Sequence, residues 1–232
     1  MTQRQIIALG GGGFSVEPEN PTLELYILRQ VQTATPRVGL IPTASGDSDR
    51  YVATFYTVFS RFECRPRHLT FFQRTPELRS FIFDQDVIYV GGGNTKSMLA
   101  VWKDWGLDTV LREAWERGII LCGISAGAIC WFQQGITDSF ADDLVVLDCL
   151  GFLKGSCCPH FDGEAERRPS YHSLLSRNQI LPSYALDDGA GIHFAGEDIH
   201  RVVVSRPNAK AYRMQTRNGS VLEEPLKSEF LG

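Results

Sequence analysis

The sequence predicts an α/β fold: three layers, with a mostly parallel sheet flanked by helices. Three observations predict it. Short, nearly continuous apolar runs alternate with amphipathic stretches of helical period through the first half of the chain, as in a sheet buried on both faces. Those runs end in glycine-rich turns. And 232 residues, 43% of them hydrophobic and 22% charged, supply enough apolar surface for such a core. In sheets of this kind ligands bind beyond the carboxyl ends of the strands, so the turns there are where function is sought.

Gln5–Leu9 is a strand ending in the glycines 10–13. Residues 22–33 carry Leu23, Tyr26, Ile27 and Gln30 at helical spacing, and Pro21 suits the first turn. Arg37–Ile41 is a second strand, stopped by Pro42, and residues 49–62 form a helix with Val52, Phe55, Tyr56 and Phe59 on one face. A third strand is read at 68–72 and a fourth at 86–90, ending in Gly91-Gly92-Gly93-Asn94. Helical patterns cover 95–102 and 107–117. The fifth strand, 119–122, runs into Gly123-Ile124-Ser125-Ala126-Gly127. Beyond it a helix is expected over 164–176 and strands over 183–186, 190–194, 201–205 and 209–215. No repeat, low-complexity segment or linker interrupts the chain, so a single domain over residues 1–232 is expected.

Composition narrows the function. The net charge of -4, from 23 basic and 27 acidic residues, gives no electrostatic case for nucleic acid or an anionic membrane. The apolar run from Ile6 to Leu9 is too short for a signal-peptide core or a membrane span, and no later run is long enough. The six cysteines include no CxxC pair, and Cys122, Cys130 and Cys149 lie in apolar stretches, so reduced thiols and a cytoplasmic protein are expected. No HExxH is present and the histidines do not cluster with acids, so neither metal nor cofactor is expected.

The candidate nucleophile is Ser125. G-x-S-x-G between an apolar strand and a small-residue helix start is a sharp turn that projects the hydroxyl at the sheet edge, with helix N–H groups aimed at the same place. A Gly/Ser-rich turn without chemistry is the competing reading. The amides of Gly91, Gly92 and Gly93 are candidate donors for the second half of an oxyanion hole. A phosphate loop at 91–94 is disfavoured, since no GK[ST] follows and no GxGxxG is present.

A serine nucleophile needs a base. Of five histidines, His68 sits among arginines, His172 in a helix, His193 within a strand and His200 in a turn. His160 follows Pro159 in a loop after an apolar segment, where catalytic groups are held, and is the candidate base. Two carboxylates compete to orient it. Asp188 ends the strand at 183–186; Asp138 lies in the loop after the nucleophile helix. Asp142 and Asp143 read as a solvated pair.

The runs GGGNT at 91–95, GISAGA at 123–128 and Pro159-His160 together resemble the peptidase E (aspartyl dipeptidase) family of serine peptidases, which includes the cyanophycinases. The resemblance covers nearly the whole chain. It implies a fold similar to class I glutamine amidotransferases, with serine in place of their cysteine, and it assigns Ser125 as nucleophile, His160 as base, and the 91–93 turn with the Ala126 amide as oxyanion hole. Cyanophycinases carry a glutamate where Asp188 falls, and aspartyl dipeptidases an aspartate near Asp138; Asp188 is taken as the acid. Aspartyl dipeptidases need a cation for the substrate's aspartate, and here Arg167 or Arg168 matches. Glu164 or Glu166 is a candidate for an α-ammonium group, and Asn94 and Asp187 join the set expected to line the substrate. The expected function is a serine exopeptidase for di- or short peptides, with N-terminal aspartate as a candidate preference. A β-aspartyl or isopeptide hydrolase and a non-catalytic binding protein are the alternatives. A short peptide is the expected partner, and a homo-oligomer is left open.

Finally, eleven of the 22 glycines fall at four strand boundaries: 10–13, 91–93, 123 with 127, and 189 with 191. If the fold is right, these turns converge on one edge.

Overall fold

The computed structural model describes residues 3–140, 144–217 and 219–232; Asp142 and Asp143 lie outside them. β1 (Gln5–Leu9) leads to α1 (Gly13–Val16) and α2 (Thr22–Leu28), β2 (Arg37–Ile41) to α3 (Asp49–Phe59), and β3 (Arg65–His68) to α4 (Leu78–Phe83). β4 (Val87–Val90) leads to α5 (Thr95–Trp105) and α6 (Leu107–Glu116), and β5 (Ile120–Ile124) to α7 (Ala126–Ile129). The remainder comprises β6 (Phe132–Thr137), β7 (Val145–Asp148), β8 (Leu153–Cys158), α8 (Arg167–Ser176), β9 (Tyr184–Leu186), β10 (Ala190–Ala195), β11 (Asp198–Val204), β12 (Ala211–Arg217), β13 (Ser220–Pro225) and β14 (Glu229–Phe230).

The larger sheet has eight strands in the order β14-β11-β10-β1-β5-β4-β2-β3. Its centre, β1-β5-β4-β2-β3, is parallel throughout, and β10 joins β1 antiparallel. Side chains alternate across the pleat, so each strand feeds two cores. Ile7, Leu9, Val87, Tyr89, Ile120 and Cys122 face one side, under Phe14, Leu23, Ile27, Phe55 and Phe59 of α1, α2 and α3. Ile6, Ala8, Ile88, Val90 and Leu121 face the other, where they meet Phe81 of α4, Met98 and Trp102 of α5, and Leu111 and Trp115 of α6. Burying one such large side chain is worth about 2–3 kcal/mol, so both faces add materially to stability.

The second sheet is an addition to the sequence reading. It runs β13-β12-β9-β8-β6-β7 and packs on the second of those cores through Phe132, Leu153, Leu186 and Ala211. Its outer side is covered by Tyr171 and Leu175 of α8. β6 and β8 escape a hydrophobic-run reading because each buries only alternate or terminal residues and is interrupted by glycine, Gly135 in one and the positive-φ Gly155 in the other. The third strand also moves, to Arg65–His68. The Leu69 amide still donates to Leu40 O, but residues 70–72 leave the sheet, where the buried Asp47 carboxylate accepts the amides of Phe71 and Phe72. The helix read from 164 begins at Arg167.

Among the described residues no helix is long and apolar enough to cross a membrane. All six cysteines are unpaired, and Cys122, Cys130, Cys157 and Cys158 are buried. Burial raises their thiols, so they are packing groups rather than nucleophiles.

His193 of β10 is buried as well. Its Nδ1 pairs with the Tyr26 hydroxyl at 2.8 Å and its Nε2 with Gln5 Oε1 at 2.9 Å, which satisfies a neutral ring. Burial first, then His200 and Arg201, push it from the ordinary 6.5 down to about 4. A histidine lowered on folding gives stability that is present above 6.5 and lost as pH falls towards 4. Urea unfolding is expected to show up to about 3 kcal/mol lost over that window. A His193→Gln variant should lose less; an equal loss in both proteins would refute the assignment.

Candidate active site

Ser125 sits at the junction of β5 and α7 with φ 56° and ψ -114°, a backbone conformation that costs a non-glycine residue about 1–3 kcal/mol. The turn closes only because its neighbours lack side chains. A Cβ on Gly123 would lie 2.4 Å from the Gly127 carbonyl oxygen, and one on Gly127 would lie 2.2 Å from that of Val90. The strained serine is pinned by its amide, which donates to Leu9 O at 3.1 Å, and by its carbonyl, which accepts from the Ala128 and Ile129 amides at 2.9 Å.

His160 lies two residues beyond β8, also at positive φ (54°). Its Nε2 is 2.8 Å from Ser125 Oγ and its Nδ1 is 2.7 Å from Asp188 Oδ1. With Asp188 ionised, Nδ1–H donates to it, leaving Nε2 to accept the serine proton. The hydrogen bond from His160 is the main cause holding the Asp188 carboxyl below its ordinary range.

The second sheet explains why two carboxylates competed in the sequence. β8 lies between β6 and β9, parallel to both, so Asp138, His160 and Asp188 all emerge from one end of one sheet. Asp188 reaches the histidine. Asp138 turns to Arg167 at 3.4 Å, with its side chain 66% exposed. Three contacts fix Asp188: its amide donates to Asp162 Oδ1 at 2.7 Å, its backbone bridges to Gly11, and the Gly189 amide donates to Gly11 O at 2.9 Å. Gly11 lies so close that a Cβ there would be 1.8 Å from Asp188 Oδ1 and 2.6 Å from His160 Nδ1.

The 91–93 turn packs on the serine: a Cβ on Gly92 would lie 3.4 Å from Ser125 Cβ. The Gly92 amide, expected as an oxyanion donor, instead donates to the Tyr51 hydroxyl at 3.1 Å. The Gly93 and Ala126 amides have no hydrogen-bond partner among the described residues. The four glycine turns do converge. Gly11 abuts Asp188, Gly12 abuts Gly189, Gly92 abuts Ser125, and Gly127 abuts Val90 at the end of β4.

The residues expected to line the substrate divide. Arg167 is buried, its Nη1 donating to Ile136 O at 3.0 Å and its Nε to Glu164 at 2.5 Å. With Asp138 on Nη2, its charge is matched within the chain. Arg168 grips Glu223 and lies 4.7 Å over the Phe161 ring. Glu166 is exposed, and the Glu164 amide donates to His160 O at 3.1 Å, which sets this acidic segment directly after the histidine. Asn94 is structural: its Oδ1 caps α5 at Ser97 N (2.8 Å) and its Nδ2 holds Ser139 O (3.1 Å). Asp187 points inward to the Lys210 amide at 2.9 Å and is pushed up to about 6, by burial first and then by Asp162. Sequence reasoning missed Tyr51 and Asp162 and held Gly11 only as one of the glycines at 10–13. Only the run of four glycines hinted at any of them.

An α/β fold with a Ser–His–carboxylate chain at the strand ends defines the site of a serine hydrolase. Peptidase family S51 matches residues 6–202, and the chain belongs to that family of serine peptidases. It is 52% identical to the uncharacterized peptidase YgaJ of Bacillus subtilis (strain 168), over 99% of this chain and 100% of that one. A solved structure of a peptidase from an acI-B1 Actinobacterium superposes with a TM-score of 0.70 at 19% identity, covering 97% of this chain and 95% of its own. A Listeria monocytogenes EGD-e protein assigned to peptidase E superposes at 0.65 with 20% identity, covering 85% of this chain and 97% of its own. These last two likenesses show the shared fold.

Proposed function

We propose that this peptidase is a serine exopeptidase acting on dipeptides or short peptides through Ser125, His160 and Asp188. The observation that carries the reading is the unbroken hydrogen-bond chain from Ser125 Oγ through both ring nitrogens of His160 to Asp188. In this mechanism His160 Nε2 takes the hydroxyl proton as Oγ bonds to the scissile carbonyl carbon. The Gly93 and Ala126 amides stabilise the oxyanion, and the imidazolium, held by Asp188, protonates the leaving amine as the C–N bond breaks. Water, deprotonated by His160, then cleaves the ester and restores the serine.

Exopeptidase action is supported by the exposed Glu166 in the segment that follows His160, which suits a substrate's α-ammonium group; Glu164 is held by Arg167. A preference for N-terminal aspartate needs a cation, and both candidates are engaged: Arg167 by Glu164 and Asp138, Arg168 by Glu223. A substrate carboxylate at Arg167 therefore has to displace Glu164 or Asp138, which favours broad over strict aspartyl selectivity. A panel of α-linked, β-aspartyl and non-aspartyl short peptides tests this. Turnover of several α-linked peptides is expected, and turnover of β-linked peptides alone would overturn the reading. The six unpaired cysteines support a reducing compartment, the cytoplasm.

The acid assignment has its own test. Asp188→Ala is expected to lower kcat by about a thousandfold to ten-thousandfold, the range seen when a triad histidine loses its orienting carboxylate. Asp138→Ala should stay within about tenfold. The reverse ranking would transfer the role to Asp138.

A further inference from the structure

One ionisable group beneath the site has no part in the mechanism above. Glu24, on α2, is fully buried. Its Oε1 accepts the Phe14 amide at 2.7 Å, and its Oε2 has no partner. Facing it are Glu17 from the end of α1, Tyr51 from α3, Tyr89 from β4 and Cys122 from β5, all acidic or neutral. The Tyr89 hydroxyl is likewise buried without a partner. Glu17 is itself bound to Arg206, at 2.7 Å, and among the described residues no cation pairs with Glu24. Burial therefore pushes the Glu24 carboxyl up to about 7.

Two short routes lead from this carboxyl to the triad. Phe14 follows the 10–13 glycine turn, and a Cβ on Gly13 would lie 2.9 Å from Glu24 Oε1, so the carboxyl seats that turn directly. The turn in turn presses Gly11 on Asp188 and His160. The second route runs through Tyr51, whose hydroxyl holds the Gly92 amide beside Ser125.

We propose that Glu24 is a positioning residue for the Ser125–His160–Asp188 chain, its neutral carboxyl seating the 10–13 turn so that Gly11 holds the His160–Asp188 contact. The proposal rests on the serine-peptidase reading of the site. A proton lost from Glu24 leaves an uncompensated charge in a dry pocket. That charge draws the Tyr89 and Tyr51 hydroxyls or admits water, and the turn and the Gly92 amide both lose their seat.

The test follows the rate of Ser125 modification by a fluorophosphonate against pH, on the intact protein, so that no peptide amine titrates. The parent's rate is expected to rise on the acid side and to fall above about pH 7. Glu24→Gln keeps an acceptor for the Phe14 amide and cannot ionise. It should lack the fall and react about tenfold faster than the parent at pH 9. Glu24→Ala, at pH 6.5, should react at least about tenfold more slowly than either. A parent without the fall, or a Glu24→Gln profile that superimposes on the parent's, overturns the proposal. The glutamine comparison decides the matter even if the alanine variant does not fold. A parent that takes no label at any pH overturns the serine-peptidase reading itself, and this proposal with it.

Discussion

Ser125→Ala is expected to lower peptide turnover by about four to six orders of magnitude while the protein stays folded. The size follows from the chemistry. Without Oγ there is no acyl-enzyme, and what remains is the contribution of the oxyanion amides and of substrate binding. In the proposed mechanism those groups are the backbone N–H of Gly93 and Ala126, which the substitution leaves in place. Folding should survive, because the turn is held by main-chain bonds of Ser125 to Leu9, Ala128 and Ile129. Loss of the hydroxyl removes only the 2.8 Å contact to His160. Removing a strained serine side chain in favour of alanine does not relieve the positive φ, so stability should change by less than about 1 kcal/mol. Steady-state kinetics beside a thermal melt check both parts. A variant within about tenfold of the parent would remove Ser125 from the mechanism.

Gly11→Ala should be nearly as damaging, although Gly11 takes no part in the chemistry. Its backbone is not in the left-handed region, so alanine is conformationally allowed and the effect is one of space. The new methyl would occupy the position 1.8 Å from Asp188 Oδ1 and 2.6 Å from His160 Nδ1, where no heavy atom fits. Gly11 cannot retreat, since its strand-end backbone is bridged to Asp188 and accepts the Gly189 amide. Asp188 must therefore move, and His160 loses its orienting partner. We expect kcat to fall by about a thousandfold, as for Asp188→Ala, with a stability loss of about 1–3 kcal/mol from the crowding. Activity within about tenfold of the parent would mean that the His160–Asp188 contact is not what the rate depends on.

How much of this was legible in the sequence depended on how local each signal was. The parallel strands β1, β2, β4 and β5 announce themselves because each is buried on both faces, and a continuous apolar run needs no partner to be recognised, whereas the edge strand β3, Arg65–His68, is half exposed and carries no such run. Ser125 was legible for the same reason: a strand, a G-x-S-x-G turn and a small-residue helix start lie within a dozen residues. His160 was legible only as a histidine at a strand end. The choice between Asp138 and Asp188 was not, because β6 and β9 flank β8 in the same direction and deliver both carboxylates to one edge. What separates them is Gly11, nearly 180 residues away in the chain. The arginine register was hidden until α8 was seen to start at Arg167, which turns that side chain in and Arg168 out. Tyr51 on Gly92 and Glu24 beneath the turn are contacts between distant segments, and no spacing rule encodes them.

In the proposed mechanism His160 and Asp188 make Ser125 a nucleophile. The most direct measurement is the intact mass of the protein after treatment with a fluorophosphonate, followed by mapping of the modified peptide. One adduct is expected on the parent, located at Ser125, absent from Ser125→Ala and strongly slowed in His160→Ala. No adduct on the parent, or an adduct that persists in Ser125→Ala, would contradict it.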